Sequence, residues 1–543
     1  SELWKALEIS GRAYAALGQS DKAQTMLDQS ITVIEDLRAK VAGGEEQRQK
    51  FLGSRIEPYD AMIALMLARE ENDRAFEYAE RARARVLLDS LQGTRIDPAQ
   101  FMTPAERTQE QEIVAHMAAL NLKRIQENQK SDVDAAVVSR IEADLKQVRG
   151  DYESFSTQLY AVHPELRMQN RIPSITSNDV AAVIGREDTA VLEYVVTASV
   201  THLFVFTSSS ASPEVFSIPA DRQDLANQIE DFRRKIADQD LGFGAASRSL
   251  YRLLVQPAET LLAGKQNLLI VPDAELWSLP FAALKSGSGR YLLQDHVLLY
   301  VPSLAALREM NRIRNRQTRK QPAKLLALGN PQVSRPSADQ LANLYRDQAL
   351  GPLPDAEKEV QSLAAIYGPS RSRVYTGKDA RKDRFVAEAS QYTILHIASH
   401  GILNDVSPLY SQLALAPGTD PGTEDGLLEA WEILRMKLHA DLAVLSACET
   451  ARGKVGSGEG MIGLSWALLV AGVPTTVASQ WKVESKSTTG IMVEFHRLLV
   501  SKRPSGRFPV AAALREAALQ NLDRPAYRHP FYWAGFIVIG AGS

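Results

Sequence analysis

Two patterns of hydrophobic positions divide the chain near residue 170. Up to about residue 160, apolar residues recur every three or four positions among many Ala, Glu, Arg and Gln, which predicts helices throughout. After Pro173, short runs rich in β-branched and aromatic residues alternate with helical segments, which is typical of an α/β region. The sequence therefore predicts an all-α region followed by an α/β region.

Continuous apolar runs in the second region predict strands buried on both faces, as in a mainly parallel sheet flanked by helices. Before a basic segment at 308–324, the predicted strands span 190–196, 202–206, 267–271 and 297–301. After it they span 325–329, 373–375, 393–397, 413–415, 442–446, 475–479 and 536–539. The basic segment is too polar for a core and lacks interleaved aromatic residues, so we interpret it as a solvated linker and not as a nucleic-acid-binding patch.

The helical region contains two sets of residues with the offsets of tetratricopeptide repeats, in which small residues let paired helices approach closely. The two sets are Leu7, Gly11, Tyr14, Ala23, Leu27 and Ser30, and Tyr59, Met66, Ala75, Ala79 and Ala82. They begin 59 − 7 = 52 residues apart. This exceeds the usual period of about 34 residues, so the intervening helices would be unusually long. An unrelated helical bundle is the alternative interpretation.

Composition and charge exclude several classes of protein. Hydrophobic residues make up 45% and charged residues 23% of the 543 positions, which excludes a disordered or collagen-like chain. The net charge of −3 creates no global attraction to nucleic acids or anionic membranes. No apolar run reaches the roughly 18 residues that a membrane-spanning helix needs. We therefore expect neither a membrane nor a nucleic acid as a partner.

The chain has a single cysteine, Cys448, so an intrachain disulfide is excluded and a reducing compartment, the cytoplasm, is expected. The first residues already follow a helical pattern and do not include Met. This predicts a fragment whose native N-terminus, with any targeting signal, precedes the given sequence.

Two predicted strands end in residues suited to nucleophilic chemistry. Strand 393–397 leads into Ser399, His400 and Gly401, and strand 442–446 leads into Cys448. Reactive groups collect at the carboxyl ends of parallel strands, and the 448 − 400 = 48 residues between the two leave room for a hairpin and a crossover helix. A Cys nucleophile needs an imidazole nearby and backbone N–H groups to bind the oxyanion. The backbones of Gly401 and Cys448 are candidates for those donors.

These strings resemble the CHAT family of caspase-like cysteine peptidases, which usually carry tetratricopeptide repeats. The resemblance rests on Ser-His-Gly at 399–401 and Ser-Ala-Cys-Glu-Thr-Ala-Arg-Gly at 446–453. Further similar segments are 269–273, 279–284, 301–303, 458–460, 471–474 and 529–536, so it covers most of residues 170–543. It implies that His400 is the general base and Cys448 the nucleophile of peptide-bond hydrolysis. It also implies that the half before the basic segment is a non-catalytic caspase-like companion, as in separases.

The position two residues before the nucleophile departs from related families. This sequence has Ser446 where caspases have Gln and metacaspases have Asp. The resemblance implies that this position helps to shape the pocket for the residue before the scissile bond. Ser446 and Glu449 are therefore candidate pocket residues, and no preference for Asp, Arg or Lys is predicted.

Two further features have simpler interpretations. Gly458 to Gly463 fits the G-x-G-x-x-G string of dinucleotide-binding proteins. However, the string lies about ten residues beyond its strand, and no ribose-binding acid follows it. We therefore predict a mobile loop instead. His396 lies about 13 Å from His400 along an extended strand. The two histidines therefore cannot share a metal ion, and we predict a structural role for His396.

The sequence thus predicts a cysteine endopeptidase that uses no metal or organic cofactor. Its predicted domains are tetratricopeptide helices at 1–97, connecting helices at 98–170, a non-catalytic caspase-like half with the linker at 171–322, and a catalytic half at 323–543. The repeat helices are expected to dock a protein substrate, or a protein activator or regulator, on their concave face. The alternative is a catalytically idle caspase-like scaffold that acts as a protein-interaction module.

Overall fold

Helices form the first part of the chain, as the spacing of apolar residues predicts. This computed structural model describes residues 2–40, 51, 53–83, 85–93, 101–127, 134–163, 175–208, 210–317, 323–333, 351–404, 407–418, 425–447, 455–456, 460–461, 463–501 and 509–542. The helices before the sheet are α1 (Leu3–Ala16), α2 (Ser20–Lys40), α3 (Glu57–Ala68), α4 (Asn72–Arg81), α5 (Arg85–Gly93), α6 (Pro104–Glu127), α7 (Ala135–Val162) and α8 (Ser177–Ile184).

The second region alternates strands and helices. Its strands are β1 (Thr189–Val196), β2 (Thr201–Thr207), β3 (Glu214–Ile218), β4 (Asn267–Val271), β5 (Val297–Tyr300), β6 (Leu325–Pro331), β7 (Ser372–Gly377), β8 (Ile394–Ala398), β9 (His400–Ile402), β10 (Gln412–Ala414), β11 (Leu427–Glu429), β12 (Leu442–Leu445), β13 (Val455–Gly456), β14 (Gly460–Met461), β15 (Thr475–Ser479) and β16 (Phe536–Gly540). Its helices are α9 (Arg222–Ala237), α10 (Phe243–Leu254), α11 (Glu259–Leu262), α12 (Leu292–Asp295), α13 (Leu304–Gln317), α14 (Pro354–Tyr367), α15 (Lys382–Glu388), α16 (Ala430–Arg435), α17 (Leu464–Val470), α18 (Ser485–Ser501) and α19 (Val510–Leu522).

The N-terminal helices pack in pairs, α1 against α2 and α3 against α4. Gly11 on α1 lies so close to α2 that an added Cβ would be 2.7 Å from Leu27 Cγ. Only a residue without a side chain fits this contact, which is the role that small residues have in tetratricopeptide helix pairs. The repeat pattern therefore predicts the packing of these helices correctly.

An eleven-stranded sheet forms the centre of the second region. Its strand order is β3-β2-β1-β4-β5-β16-β15-β12-β8-β6-β7. The pairs β1–β2, β2–β3 and β15–β16 are antiparallel, and the other neighbouring pairs are parallel. The prediction of a mainly parallel sheet flanked by helices, after an all-α region, is confirmed.

Two halves of the chain share this sheet. Strands β1 to β5 come from the half before the basic segment, and the rest come from the half after it. The halves join where β16 runs parallel to β5, with Ile539 paired to Tyr300. One hydrophobic core extends through both halves and includes the buried side chains of Trp277 and Trp533. The halves therefore form one continuous structure around the sheet.

The predicted strand at 413–415 lies outside the main sheet, so its assignment to that sheet is wrong. Strand β10 pairs antiparallel with β9 and with β11 in a separate three-stranded sheet. All three strands are only three residues long, too short for an apolar run to show which sheet they join. This small sheet includes His400 in β9.

The basic segment at 308–324 is helical over its described first part, which corrects its interpretation as a linker. Helix α13 extends to Gln317, and residues 318–322 lie outside the described residues. Leu304, Leu307 and Met310 are buried on one face of this helix. Its exposed side chains include Arg312 and Arg316, so its average polarity conceals an amphipathic helix.

The N-terminal helices dock on the first half of the sheet. The ring of Phe76 on α4 lies 4.7 Å from that of Phe206 and 6.4 Å from that of Phe204, both on β2. Glu80, one helical turn later, accepts hydrogen bonds from Leu304 N and Ala305 N at the start of α13. An apolar contact and a buried carboxylate therefore fix α4 to the α/β region.

The long helices α6 and α7 pack beside the small sheet of the second half. Tyr152 on α7 contacts Trp431 with ring centroids 5.3 Å apart. The guanidinium of Arg149 lies 4.4 Å from the ring centre of Tyr410 and 3.5 Å from a carboxylate oxygen of Glu429 on β11. None of the helices in the described part of the chain is both long and apolar enough to cross a membrane.

Candidate active site

The two strands that carry the predicted catalytic motifs are neighbours in the main sheet. Strands β8 and β12 are parallel, and their register pairs Ile394 with Leu442 and Ile397 with Leu445. Each pair is separated by 442 − 394 = 48 residues, the same separation as that between positions 400 and 448. The strands therefore end side by side at one edge of the sheet, where ligands bind in open α/β sheets.

His400 follows β8 and is anchored by a backbone carbonyl. Its Nε2 lies 2.8 Å from the oxygen of Gly351, just before helix α14. A carbonyl oxygen only accepts, so the imidazole donates its Nε2–H and keeps a lone pair on Nδ1. Nδ1 is thus the ring atom that can take up a proton.

Two effects lower the pKa of His400 below its ordinary value of 6.5. The larger is burial, which disfavours the charged imidazolium, and the smaller is the positive charge of Lys482. The hydrogen bond to Gly351 acts in the opposite direction but does not cancel them. His400 is therefore neutral near pH 7, which is the form that a general base requires.

The other strand end is fixed just before position 448. Ser479, the last residue of β15, donates a hydrogen bond from its hydroxyl to the Ala447 carbonyl at 2.5 Å. Ser446 and Ala447 are buried. Cys448 and Glu449, the predicted nucleophile and candidate pocket residue, lie outside the described residues. The structure thus describes the chain up to the residue that precedes the predicted nucleophile.

A cavity of about 200 Å³ opens between these strand ends and helices α14 and α18. It is lined by Gly351, Pro352, Leu353, Ala356, Glu359, Ser399, His400, Gly401, Ser446, Ala447, Lys482, Val483, Ser485, Thr488 and Thr489. Its volume is below the roughly 300–1,000 Å³ of sites that enclose whole small molecules. It suits a single side chain of a larger ligand. The structure therefore brings His400, Gly401 and Ser446 to one cavity.

The glycine-rich segment beyond position 448 is described only in part. Residues 455–456 and 460–461 pair as the short antiparallel strands β13 and β14. These strands contact the turn Ala274–Ser278 in the first half. The other residues of the predicted mobile loop before Gly463 lie outside the described residues, so its mobility stays a prediction.

His396 belongs to a buried chain of hydrogen bonds behind the cavity. Its Nε2 lies 2.7 Å from Oε1 of Glu359, and its Nδ1 lies 3.1 Å from Nε2 of His496. Nδ1 of His496 in turn lies 2.9 Å from the hydroxyl of Tyr367. No group of three His, Cys, Asp or Glu side chains in the described residues has the geometry of a metal site.

Several cavity residues were missed by the sequence analysis. Lys482 comes shortly after β15, the strand beside β12. His400 was predicted because it follows the end of a strand, and the same reasoning applies to Lys482. Gly351 and Glu359 have no motif around them, because their positions depend on how α14 packs on the sheet. At Gly329 on β6, an added Cβ would lie 2.6 Å from Val360 Cγ2 on α14, which shows how closely helix and strand pack.

Comparison with known proteins places this site in a family. The CHAT domain profile matches residues 244–541, more than half of the chain. Tetratricopeptide repeat protein 28 of Homo sapiens is 28% identical to this chain and that of Mus musculus is 27% identical, over 54% of this chain in each case. The chain spans only 13% of the length of these curated relatives.

Two solved structures that are similar to this chain have low sequence identity to it. In a Saccharomyces cerevisiae separase-securin complex, the matched chain is 10% identical, with 96% of this chain and 37% of that chain covered and a TM-score of 0.44. The Arg-specific cysteine proteinase gingipain R is 11% identical, with 55% of this chain and 67% of that chain covered and a TM-score of 0.34. The profile match confirms the resemblance to this family, and the chain belongs to the CHAT domain family.

Proposed function

We propose that this chain is a cysteine endopeptidase in which His400 and Cys448 form the catalytic pair. The observation that carries the proposal is the setting of His400, which lies at the end of β8 with Nε2 bound to Gly351 and a lone pair left on Nδ1. The adjacent strand β12 leads within three residues to Cys448, and the 48-residue register of the two strands equals the separation of the pair. Membership of the CHAT family supports this assignment.

The chemistry needs only groups of the protein and water. Nδ1 of His400 takes the proton from the Cys448 thiol, and the thiolate attacks the carbonyl carbon of the scissile peptide. As the tetrahedral intermediate collapses, the C–N bond breaks and His400 returns the proton to the leaving amine. Water, deprotonated by His400, then hydrolyses the thioester and restores the thiol. Neither step uses a metal ion or an organic cofactor.

Backbone N–H groups are proposed to stabilise the oxyanion of the intermediate. Gly401 lines the cavity beside His400, and the second donor would be the N–H of Cys448 itself. The hydrogen bond from Ser479 to the Ala447 carbonyl supports this role, because it holds the carbonyl group of the residue before Cys448. Ser446 and Glu449 remain the proposed pocket residues. A free nucleophilic thiol is best preserved in a reducing compartment, so we propose a cytoplasmic location.

We further propose that the helical region binds a protein, either the substrate or a regulator. The docking of α7 supports a regulatory role, because Tyr152 contacts Trp431, whose indole N–H donates to Glu429 on β11 at 2.5 Å. Strand β11 pairs with β10, and β10 pairs with the strand that contains His400. A partner that shifts α7 would therefore act on the base through three packed elements. In this proposal the protein alone is poorly active, and the partner orders segment 452–463.

The experiment that tests the function compares wild type with Cys448→Ala. Both proteins are incubated with a proteome-derived peptide library and with intact candidate proteins, and new peptide termini are sequenced by mass spectrometry. A peptidase produces a defined set of termini that the variant does not produce. Identical termini in both samples, with and without candidate partners, would favour a catalytically idle scaffold.

A further inference from the structure

The buried chain behind the cavity ends at a carboxylate that the proposed mechanism does not use. Glu359 on α14 is 1% exposed, and the side chains of His396 and His496 are completely buried. The order of contacts is Tyr367, His496, His396 and Glu359, linked by three hydrogen bonds of 2.9, 3.1 and 2.7 Å. A chain of four polar groups inside a core is costly unless every member is satisfied, so its direction of donation matters.

Each of these four side chains has a hydrogen-bond partner when every donor points towards Glu359. The Tyr367 hydroxyl donates to Nδ1 of His496, Nε2–H of His496 donates to Nδ1 of His396, and Nε2–H of His396 donates to the carboxylate. Burial, and then the positive charge of a protonated His396, lower the pKa of His496 well below its ordinary value, so His496 is neutral. Glu359 ends this row of side chains, and its contact with His396 uses one of its two carboxylate oxygens.

Outside this row of hydrogen-bonded side chains, Glu359 has no cationic partner in the described part of the protein. Among the described residues, no Lys or Arg nitrogen lies within 4.0 Å of its carboxylate, and its single ionic contact is with His396. Such a buried negative charge is expensive unless something pairs with it. Its Oε1 is bound to His396, and the residue also lines the cavity that contains His400. A cation that enters this cavity would meet the unused oxygen, Oε2.

We propose that Glu359 makes this cavity selective for a substrate whose residue before the scissile bond is Arg or Lys. The proposal rests on the proposed function, because it names the side chain that the cavity accepts during cleavage. The volume of about 200 Å³ suits one long side chain. The remaining lining is small, apolar or hydroxyl-bearing except for His400 and Lys482. A guanidinium or ammonium bound to Oε2 makes a charge-assisted hydrogen bond with the buried carboxylate.

Lys482 also lines the cavity and would favour an acidic residue instead. Its side chain is exposed at the surface, where water screens its charge, whereas Glu359 is buried. A buried charge without solvent discriminates more strongly than an exposed one. The two residues therefore predict opposite preferences, and the structure favours the preference set by Glu359.

The test uses a fluorogenic peptide library in which the residue before a coumarin leaving group is fixed. The proteins are the full chain as wild type, Glu359→Gln and the control Glu357→Gln, which lies on the same helix but does not line the cavity. Glutamine at 359 keeps an acceptor for His396 and loses the charge. We expect wild type to cleave after Arg or Lys at least about 30-fold faster than after norleucine. Glu359→Gln should lose at least 30-fold on the basic substrates and less than threefold on norleucine, and Glu357→Gln should match wild type.

A binding measurement separates this inference from the proposed function. Agmatine carries the guanidinium and chain of arginine, and its binding is followed by calorimetry with wild type, Glu359→Gln and Glu357→Gln. Binding that is weakened at least tenfold in Glu359→Gln alone supports the pocket even if no peptide is cleaved, in which case the proposed function fails by itself. Cleavage after acidic or apolar residues, or equal agmatine binding by all three proteins, would overturn the role of Glu359.

Discussion

Glu80 offers a direct test of how the helical region is fixed to the α/β region. Its carboxylate, 2% exposed, accepts hydrogen bonds from Leu304 N at 2.8 Å and from Ala305 N at 3.0 Å. These are N–H groups of the first turn of α13, which have no partner within their own helix. The next N–H, that of Ala306, is bound by the Ser303 hydroxyl at 3.0 Å. Glu80 therefore caps a helix that belongs to another part of the chain.

The magnitude follows from the two donors that Glu80→Ala would leave unpaired. Each buried N–H without an acceptor costs about 1–3 kcal/mol. Loss of the negative charge at a helix N-terminus adds roughly 0.3–1 kcal/mol. Part of this cost is recovered, because burial and then the charge of Glu80 raise the pKa of the Glu193 carboxyl, and Glu80→Ala removes that charge. We expect a net loss of about 2–4 kcal/mol in the free energy of local opening at this junction.

Hydrogen exchange at 304–306 measures this loss directly. Because 1.36 kcal/mol corresponds to a tenfold change in equilibrium, exchange in Glu80→Ala should be about 30 to 900 times faster than in wild type. Glu80→Gln, which keeps one acceptor oxygen, should show a smaller increase. Glu77→Ala, on the same helix, is the matched control, because no hydrogen bond of Glu77 is seen in the described residues, and its exchange should be unchanged. Equal exchange in Glu80→Ala and wild type would refute the capping role.

Three further predictions follow from charges and contacts. The charge of Lys482 lowers the pKa of His400, in addition to the larger effect of burial. In Lys482→Met the acid limb of the pH profile of kcat/KM should therefore move to higher pH. An acid limb that stays in place or moves to lower pH would contradict this. Burial and then Asp273 raise the pKa of Asp60 from 3.8 to about 8, so ionisation opposes folding as pH rises through this range. Asp60→Asn should therefore raise Tm relative to wild type increasingly from pH 4 to pH 8, and a constant difference would show that the carboxyl titrates normally. Tyr152→Ala removes the ring contact with Trp431 and so loosens α7 from the small sheet. This substitution should lower kcat by about three- to tenfold while Cys448 stays reactive to iodoacetamide. An unchanged kcat would argue against coupling through α7.

The sequence predicts the main elements of the fold because they have strong local signals. The runs that became β8 and β12 are mainly apolar, β15 is rich in β-branched residues, and every residue of the three strands is buried, as expected in a mainly parallel sheet. Helix α13 was missed because its four arginines make residues 308–317 polar on average, and most of its buried apolar residues precede position 308. Strand β10 was assigned to the wrong sheet because pairing between three-residue strands depends on tertiary contacts.

The candidate site was predictable only where a residue ends a strand. His400 and Gly401 follow β8, so chain direction alone brings them to the edge of the sheet. Glu359 lies in the middle of a helix, and a single Glu there is indistinguishable from any solvated side chain until the packing of α14 is known. The carbonyl of Gly351 carries no side-chain signal at all. Groups that orient a base through tertiary contacts are therefore absent from a motif search.

The central claim is that His400 and Cys448 act as a pair, and the rate at which Cys448 is alkylated tests it most directly. Because the chain has one cysteine, iodoacetamide labelling reports a single thiol without any knowledge of the substrate. The account predicts that the thiol of wild type titrates below the usual pKa of about 8.5, and that it returns towards this value in His400→Ala. A folded wild type and a folded His400→Ala with the same pH profile of alkylation would contradict the pair.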